Sequence, residues 1–163
     1  MNIMKKIKIK ICGQNNPAII EHCFNLGVDQ QGLIFFNKSP RNLDNDTLKI
    51  IDQYFHNFQE MFVGVFVNPS MEEIEEKLNI YNFQTIQLHG NENQELIDQI
   101  KSKFKKKIYK SVSPENIINI KLKNIDRFLI EKNPNEQDQP GGNNKTWDWS
   151  KFKNPLNHSF ILS

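Results

Sequence analysis

The N-terminal stretch Lys8-Ile9-Lys10-Ile11-Cys12-Gly13 places a thiol beside ammonium groups. Charged and apolar residues alternate from Lys6 to Cys12, so a strand would carry the lysines and Cys12 on one face and isoleucines on the other. With the isoleucine face packed under helices, the polar face would suit the interior of a small parallel barrel. Lys10 would there favour the thiolate of Cys12, the form that acts as a base or nucleophile. The alternative is a solvated edge strand with an ordinary buried cysteine.

Composition narrows the class of protein. The 163 residues are 37% hydrophobic and 25% charged, which predicts one soluble domain spanning residues 1–163. The net charge is +2, and the lysines are mixed with acidic residues, which disfavours a nucleic-acid partner. Cys12 and Cys23 lack metal-ligand spacing, and no apolar run reaches membrane-spanning length. We therefore expect free thiols, no metal, no membrane association and a cytoplasmic location.

Hydrophobic periodicity switches repeatedly between strand and helix. It predicts strands over 6–12, 33–36, 61–67, 85–88, 107–112, 126–131 and 159–162. It predicts helices over 18–26, 44–58, 70–78 and 94–104, and a short helix over 113–121. The polar segment 132–145 is expected to be a mobile functional loop, followed by a helical turn at Trp147.

Six successive strand–helix units indicate a parallel sheet with right-handed crossovers. Either an open doubly wound sheet or a (β/α)8 barrel satisfies this pattern. With about 26 residues per unit a barrel needs roughly 210, so the chain would be about two units short of a closed barrel.

The predicted strand ends carry an ordered set of motifs. In sequence they are 10–13 (KICG), 32–35 leading to 38–41 (KSPR), 64–68 (GVFVN), 87–90 (QLHG), and Gly141-Gly142 followed by 145–149 (KTWDW). Together they resemble the phosphoribosylanthranilate isomerase family of tryptophan biosynthesis over essentially the whole chain. The resemblance implies an α/β fold of the (β/α)8 TIM-barrel type, here incomplete, with about six units and the start of strand seven.

The resemblance also implies a cofactor-free Amadori rearrangement. N-(5-phosphoribosyl)anthranilate becomes 1-(2-carboxyphenylamino)-1-deoxyribulose 5-phosphate when an acid protonates the furanose oxygen and a base removes the proton on C2. Cys12 matches the family's base, and Glu131 stands where the family has an aspartate as the acid. Arg41 matches the residue near the anthranilate carboxylate. His89 and Gly142 are expected to line the substrate site, with structural hydrogen bonding as the other reading of His89.

Three departures from the family pattern bear on activity. Glu131 carries its carboxyl one methylene farther out than the expected aspartate, and Asn143-Asn144 replaces small residues after the two glycines. The sequence ends at Ser163, before the Gly-Gly-Leu loop that holds the substrate phosphate in the family, so we expect that site to be missing and the open barrel edges to self-associate. There are two alternatives to an active isomerase. The protein could be an inactive remnant of the isomerase, or it could be another phosphosugar barrel enzyme.

Overall fold

Strands and helices alternate along the chain in the computed structural model, which describes residues 7–132 and 160–163. The strands are β1 (Lys10–Cys12), β2 (Gln30–Phe35), β3 (Phe62–Phe66), β4 (Thr85–Leu88), β5 (Lys107–Val112), β6 (Arg127–Ile130) and β7 (Phe160–Leu162). The α-helices are α1 (Pro17–Asn25), α2 (Asn45–Phe55), α3 (Met71–Ile80) and α4 (Gln94–Phe104). Short 3-10 helices span His56–Met61 and Ile117–Asn119.

The strands form one parallel sheet in the order β1-β2-β3-β4-β5-β6-β7. A doubly wound sheet would reverse its strand order part of the way across, and this one does not. Val63, Val65 and Tyr109 form a buried inner cluster, against which Cys12 of β1 and Ile161 of β7 both pack. Strands from both ends of the sheet therefore meet the same cluster, so the sheet is curled. The predicted incomplete (β/α)8-type barrel is confirmed.

A larger core lies between the outer face of the sheet and the helices. Fully buried side chains come from each helix, for example Ile20 of α1, Leu48 of α2, Ile74 of α3 and Ile97 of α4. Each helix thus buries one apolar stripe on the sheet and leaves its polar side to water. This layer fixes the strands, and with them the loops that follow their carboxyl ends.

Local sequence determines where the helices begin. Ser70 and Glu73 form a capping box at the start of α3, as the sequence predicts. Asn16, Asp44 and Asn93 cap α1, α2 and α4 with side-chain oxygens. The cap at Asp44 also ends the loop that follows β2.

Four local predictions are wrong. The strand expected over 6–12 does not include residues 7–9, because β1 begins at Lys10. The helix expected over 44–58 ends at Phe55 and continues as a 3-10 helix. The helix expected over 113–121 is only the 3-10 turn Ile117–Asn119, because isoleucine and asparagine favour the α-helix weakly. Ile9 and Ile11 are exposed, since α1 packs on β2, where Ile20 O accepts from Gln31.

Other expectations fall on residues 133–159. The functional loop over 132–145 lies almost wholly outside the described residues, and the helical turn at Trp147 lies outside them as well. Within the described residues, no helix is both long and apolar enough to cross a membrane.

Candidate active site at the carboxyl ends of the strands

Cys12 ends β1 and faces the inside of the curled sheet, where it is partly buried. Space for its thiol comes from Gly32 on the neighbouring strand. A Cβ at Gly32 would lie 2.7 Å from Cys12 Sγ and 3.2 Å from Lys10 Nζ. Because both distances are measured from the same Cβ position, Lys10 Nζ and Cys12 Sγ are no farther apart than the sum of the two distances. This confirms that Lys10 and Cys12 share a face, whereas the effect of Lys10 on the thiolate stays a prediction.

Arg41 reaches back from the loop after β2 to the end of β1. Its Nη1 donates to the carbonyl oxygen of Cys12 at 3.0 Å. The side chain lies over Gly13, where φ is +86° and a Cβ would approach Arg41 Cδ and Nη1 to 2.7 Å. A side chain at Gly13 would be strained and would displace the guanidinium. Since Arg41 is exposed and carries five donors, its remaining N–H groups can receive an anion at the mouth of the sheet.

His89 and Glu131 form a second pair, across the ends of β4 and β6. His89 Nε2 lies 3.0 Å from Glu131 Oε2, and the two side chains are only 12% and 13% exposed. His89 Nδ1 lies 2.8 Å from the amide nitrogen of Gln87, which is 1% exposed. Gln87 lies on β4 and His89 directly follows that strand, so the alternation of side chains turns both toward the interior. The carboxyl of Glu131 is thus held by a ring that is itself held by a buried amide.

A buried ion pair supports the loop that carries His89. Glu92 and Lys110 side chains are 0% and 6% exposed, and Lys110 Nζ lies 3.0 Å from Glu92 Oε2. Glu92 also accepts from the main-chain N–H groups of Asn68 and Gly90, each at 2.9 Å. Lys110 Nζ donates to Gly90 O at 2.7 Å. These bonds tie the ends of β3, β4 and β5 together behind His89.

The structure brings the predicted site residues together in two pairs at one edge of the sheet. Cys12 lies with Arg41, and Glu131 lies with His89. Gly142 lies outside the described residues. Sequence reasoning missed the contact of Gln87 with His89, although its position two residues before His89 was a signal, and it missed the Glu92–Lys110 pair altogether. Across 7–132 and 160–163, no three His, Cys, Asp or Glu side chains group closely enough to hold a metal ion.

The arrangement brings together groups that can transfer protons and bind an anion. A thiol beside an ammonium can serve as a base, a shielded carboxyl can serve as an acid, and an exposed guanidinium can bind an anion. An all-parallel curled sheet with such groups at the carboxyl ends of its strands is the architecture of the β/α-barrel enzymes.

Comparison with known proteins places the chain more closely. A model of the family described as N-(5'phosphoribosyl)anthranilate (PRA) isomerase matches residues 9–163. The N-(5'-phosphoribosyl)anthranilate isomerase of Legionella pneumophila (strain Paris) is 31% identical in an alignment 163 residues long, which covers 97% of this chain and 75% of that protein. That of Rhizobium leguminosarum bv. trifolii (strain WSM2304) is 33% identical over 151 residues, covering 89% of this chain and 68% of that protein.

A solved structure agrees. The crystal structure of phosphoribosyl anthranilate isomerase from Thermotoga maritima superposes with a TM-score of 0.78 at 27% identity, covering 97% of this chain and 77% of that one. The chain therefore belongs to the PRA isomerase family, and it spans about three-quarters of the length of the Legionella relative.

Proposed function

We propose that this protein is a phosphoribosylanthranilate isomerase of tryptophan biosynthesis. It would convert N-(5'-phosphoribosyl)anthranilate into 1-(2-carboxyphenylamino)-1-deoxyribulose 5-phosphate without a cofactor. The observation that carries the proposal is the convergence of Cys12, Arg41, His89 and Glu131 at one edge of the sheet, in a chain whose family match runs over residues 9–163. A related isomerase, 26% identical to this chain, has been crystallised in complex with reduced 1-(o-carboxyphenylamino)-1-deoxyribulose 5-phosphate.

Each proposed role follows from the chemistry of the side chain. Glu131 donates a proton to the furanose oxygen, the C1–O bond breaks, and the nitrogen lone pair forms the C1=N bond of an open iminium. Cys12 then removes the proton on C2, and the electrons of that bond shift to give the enol-amine, which tautomerises to the ketone. Arg41 binds the anthranilate carboxylate through its fork of N–H groups. His89 and Gly142 line the substrate site.

Support for these roles comes from position and burial. The thiol of Cys12 lies near the Lys10 ammonium, and the carbonyl oxygen of Cys12 accepts a hydrogen bond from Arg41. Glu131 is shielded from water and its carboxyl lies 3.0 Å from the ring of His89.

The direct experiment is to follow the loss of phosphoribosylanthranilate fluorescence with the purified chain. Turnover that falls at least a thousandfold in Glu131→Gln supports the proposal, since glutamine keeps the shape but cannot donate the proton. Absence of turnover from a folded chain would favour the alternative of an inactive relative of the isomerase.

We also propose that two copies of the chain associate through the edges of the sheet. In the described residues β1 pairs with β2 and β7 with β6, so one side of each terminal strand is left without a strand partner. Ile9, Ile11 and Leu162 near these edges are exposed. Light scattering after size exclusion, over a range of concentrations, tests this: a concentration-dependent doubling of mass supports it and a constant monomer mass refutes it.

We also propose that the protein is located in the cytoplasm, where its thiols would stay reduced.

A further inference from the structure

Gln87 is an unusual residue to find in the interior of the sheet. Its side chain is 1% exposed, its amide nitrogen lies 2.8 Å from His89 Nδ1, and its amide oxygen has no hydrogen-bond partner in the part of the chain that the structure describes. A buried unpaired carbonyl oxygen destabilises a fold, and an apolar side chain of the same size would avoid that penalty. A glutamine here makes a hydrogen bond to His89 that an apolar side chain could not make.

The bond between Gln87 and His89 decides where the imidazole carries its proton. An amide nitrogen donates and cannot accept, so His89 Nδ1 must accept. The ring proton is then on Nε2, which lies 3.0 Å from Glu131 Oε2. An N–H there can donate to the carboxyl, whereas an unprotonated Nε2 would itself accept the proton that the acid has to give to the substrate.

The donated bond also distinguishes the two oxygens of Glu131. Oε2 accepts from His89, which leaves Oε1 to carry the proton that the acid gives up. When that proton leaves, the resulting carboxylate keeps the bond from Nε2–H, and a hydrogen bond to a charged acceptor is stronger than one to a neutral acceptor. The chain Gln87–His89–Glu131 therefore favours the product of the proton transfer.

We propose that Gln87 is a positioning residue of the isomerase reaction, which keeps His89 in its Nε2–H form so that His89 holds one carboxyl oxygen of Glu131. This inference rests on the proposed function, because it gives Gln87 a part in the same proton transfer. Outer partners of metal-bound histidines change affinity or activity by about tenfold to a hundredfold when they are removed, and we expect an effect of that order for Gln87.

The test is the substitution Gln87→Met, with Gln31→Met as its matched control. Gln31 is also a fully buried glutamine with an unpaired amide oxygen, but its amide nitrogen donates to a main-chain carbonyl, that of Ile20. The two variants therefore make the same chemical change at the same depth, and only one touches the site. Far-UV circular dichroism checks that both are folded.

The first readout does not depend on activity. Long-range proton–nitrogen correlation spectra of the histidine-labelled chain, at about pH 8, above the ordinary imidazole pKa of about 6.5, report which ring nitrogen carries the proton. The chain has four histidines, and the His89 signals are assigned by their loss in His89→Gln. We expect the Nε2–H form in the wild type and in Gln31→Met, and a shift toward Nδ1–H in Gln87→Met. Gln87→Glu is the second variant, used if Gln87→Met does not fold. Its carboxylate accepts from Nδ1, so it should place a proton on Nδ1.

The second readout is kinetic. In Gln87→Met we expect kcat to fall about tenfold with KM within twofold, and in Gln31→Met both constants to stay at the wild-type values. A proton on Nδ1 in the wild type, an unchanged tautomer in Gln87→Met and Gln87→Glu, or an altered tautomer with unchanged kcat would each overturn the inference. A wild type without turnover would refute the proposed function instead, and the tautomer would still be measured.

Discussion

Substituting Gly32 by alanine tests whether the space beside Cys12 is required for catalysis. The new Cβ would lie 2.7 Å from Cys12 Sγ and 3.2 Å from Cys12 Cα. Non-bonded carbon contacts are comfortable from about 3.5 Å, so the sulfur must move by about 0.8 Å. A misplacement of about 1 Å costs roughly a hundredfold in rate, and overpacking costs about 1–3 kcal/mol of stability. We therefore expect kcat to fall between about tenfold and a hundredfold, with a loss of about 1–3 kcal/mol on urea unfolding.

A double-mutant cycle with Cys12→Ala isolates the contact. Without the sulfur, Gly32→Ala should cost at least about 0.5 kcal/mol less than it does in the wild type. Gly27→Ala is the control, because its φ is +75° but no atom lies within 4 Å of its Cβ. It should cost about 1 kcal/mol of backbone strain and leave kcat unchanged. The reasoning is refuted if Gly32→Ala keeps the wild-type kcat, or if its cost is the same in both backgrounds.

Three further predictions concern the neighbouring loops. Arg41→Lys should raise KM by about tenfold or more with a smaller change in kcat, because a point charge replaces a fork of donors; a larger effect on kcat than on KM in steady-state assays would contradict this. Glu92→Gln should cost about 3–5 kcal/mol on urea unfolding, because it leaves the buried Lys110 ammonium without its counter-ion, and a loss below about 1 kcal/mol would contradict it. The hydrogen bond from the Thr47 N–H lowers the pKa of Asp44 below its ordinary value of 3.8. The cap therefore stabilises the protein fully above pH 3.8, and its contribution is lost as the pH falls through the lower pKa of the folded state. The difference in Tm between wild type and Asp44→Ala should therefore shrink in that window, whereas a constant difference would be contrary to the prediction.

Much of the fold follows from short-range sequence signals. The bounds of β4, α4 and β5 agree with those expected from periodicity, because each is a clean apolar pattern between polar loops. The failures have local causes too. A 3-10 helix after Phe55 keeps nearly the same apolar spacing as an α-helix, so spacing does not separate the two.

The site was predictable in its parts but not in its pairing. Alternation placed Cys12 on the inner face, and the strand-end motifs placed Arg41, His89 and Glu131 at the same edge. Sequence did not indicate that His89 and Glu131 would touch, because their strands are not neighbours in the sheet. Contacts of that kind depend on the curl of the sheet and on side-chain rotamers.

The central claim is that Cys12 is the base of an isomerase, and the chain offers its own control. Its two cysteines are Cys12, at the end of β1, and Cys23, which is buried in α1 and accepts from Gln14. The measurement is kcat for loss of phosphoribosylanthranilate fluorescence in Cys12→Ser and in Cys23→Ser. A serine hydroxyl is a far weaker base than a thiolate, so we predict at least a hundredfold loss in Cys12→Ser and a change of less than about threefold in Cys23→Ser. Equal turnover in Cys12→Ser and the wild type would remove Cys12 from the reaction and contradict the account.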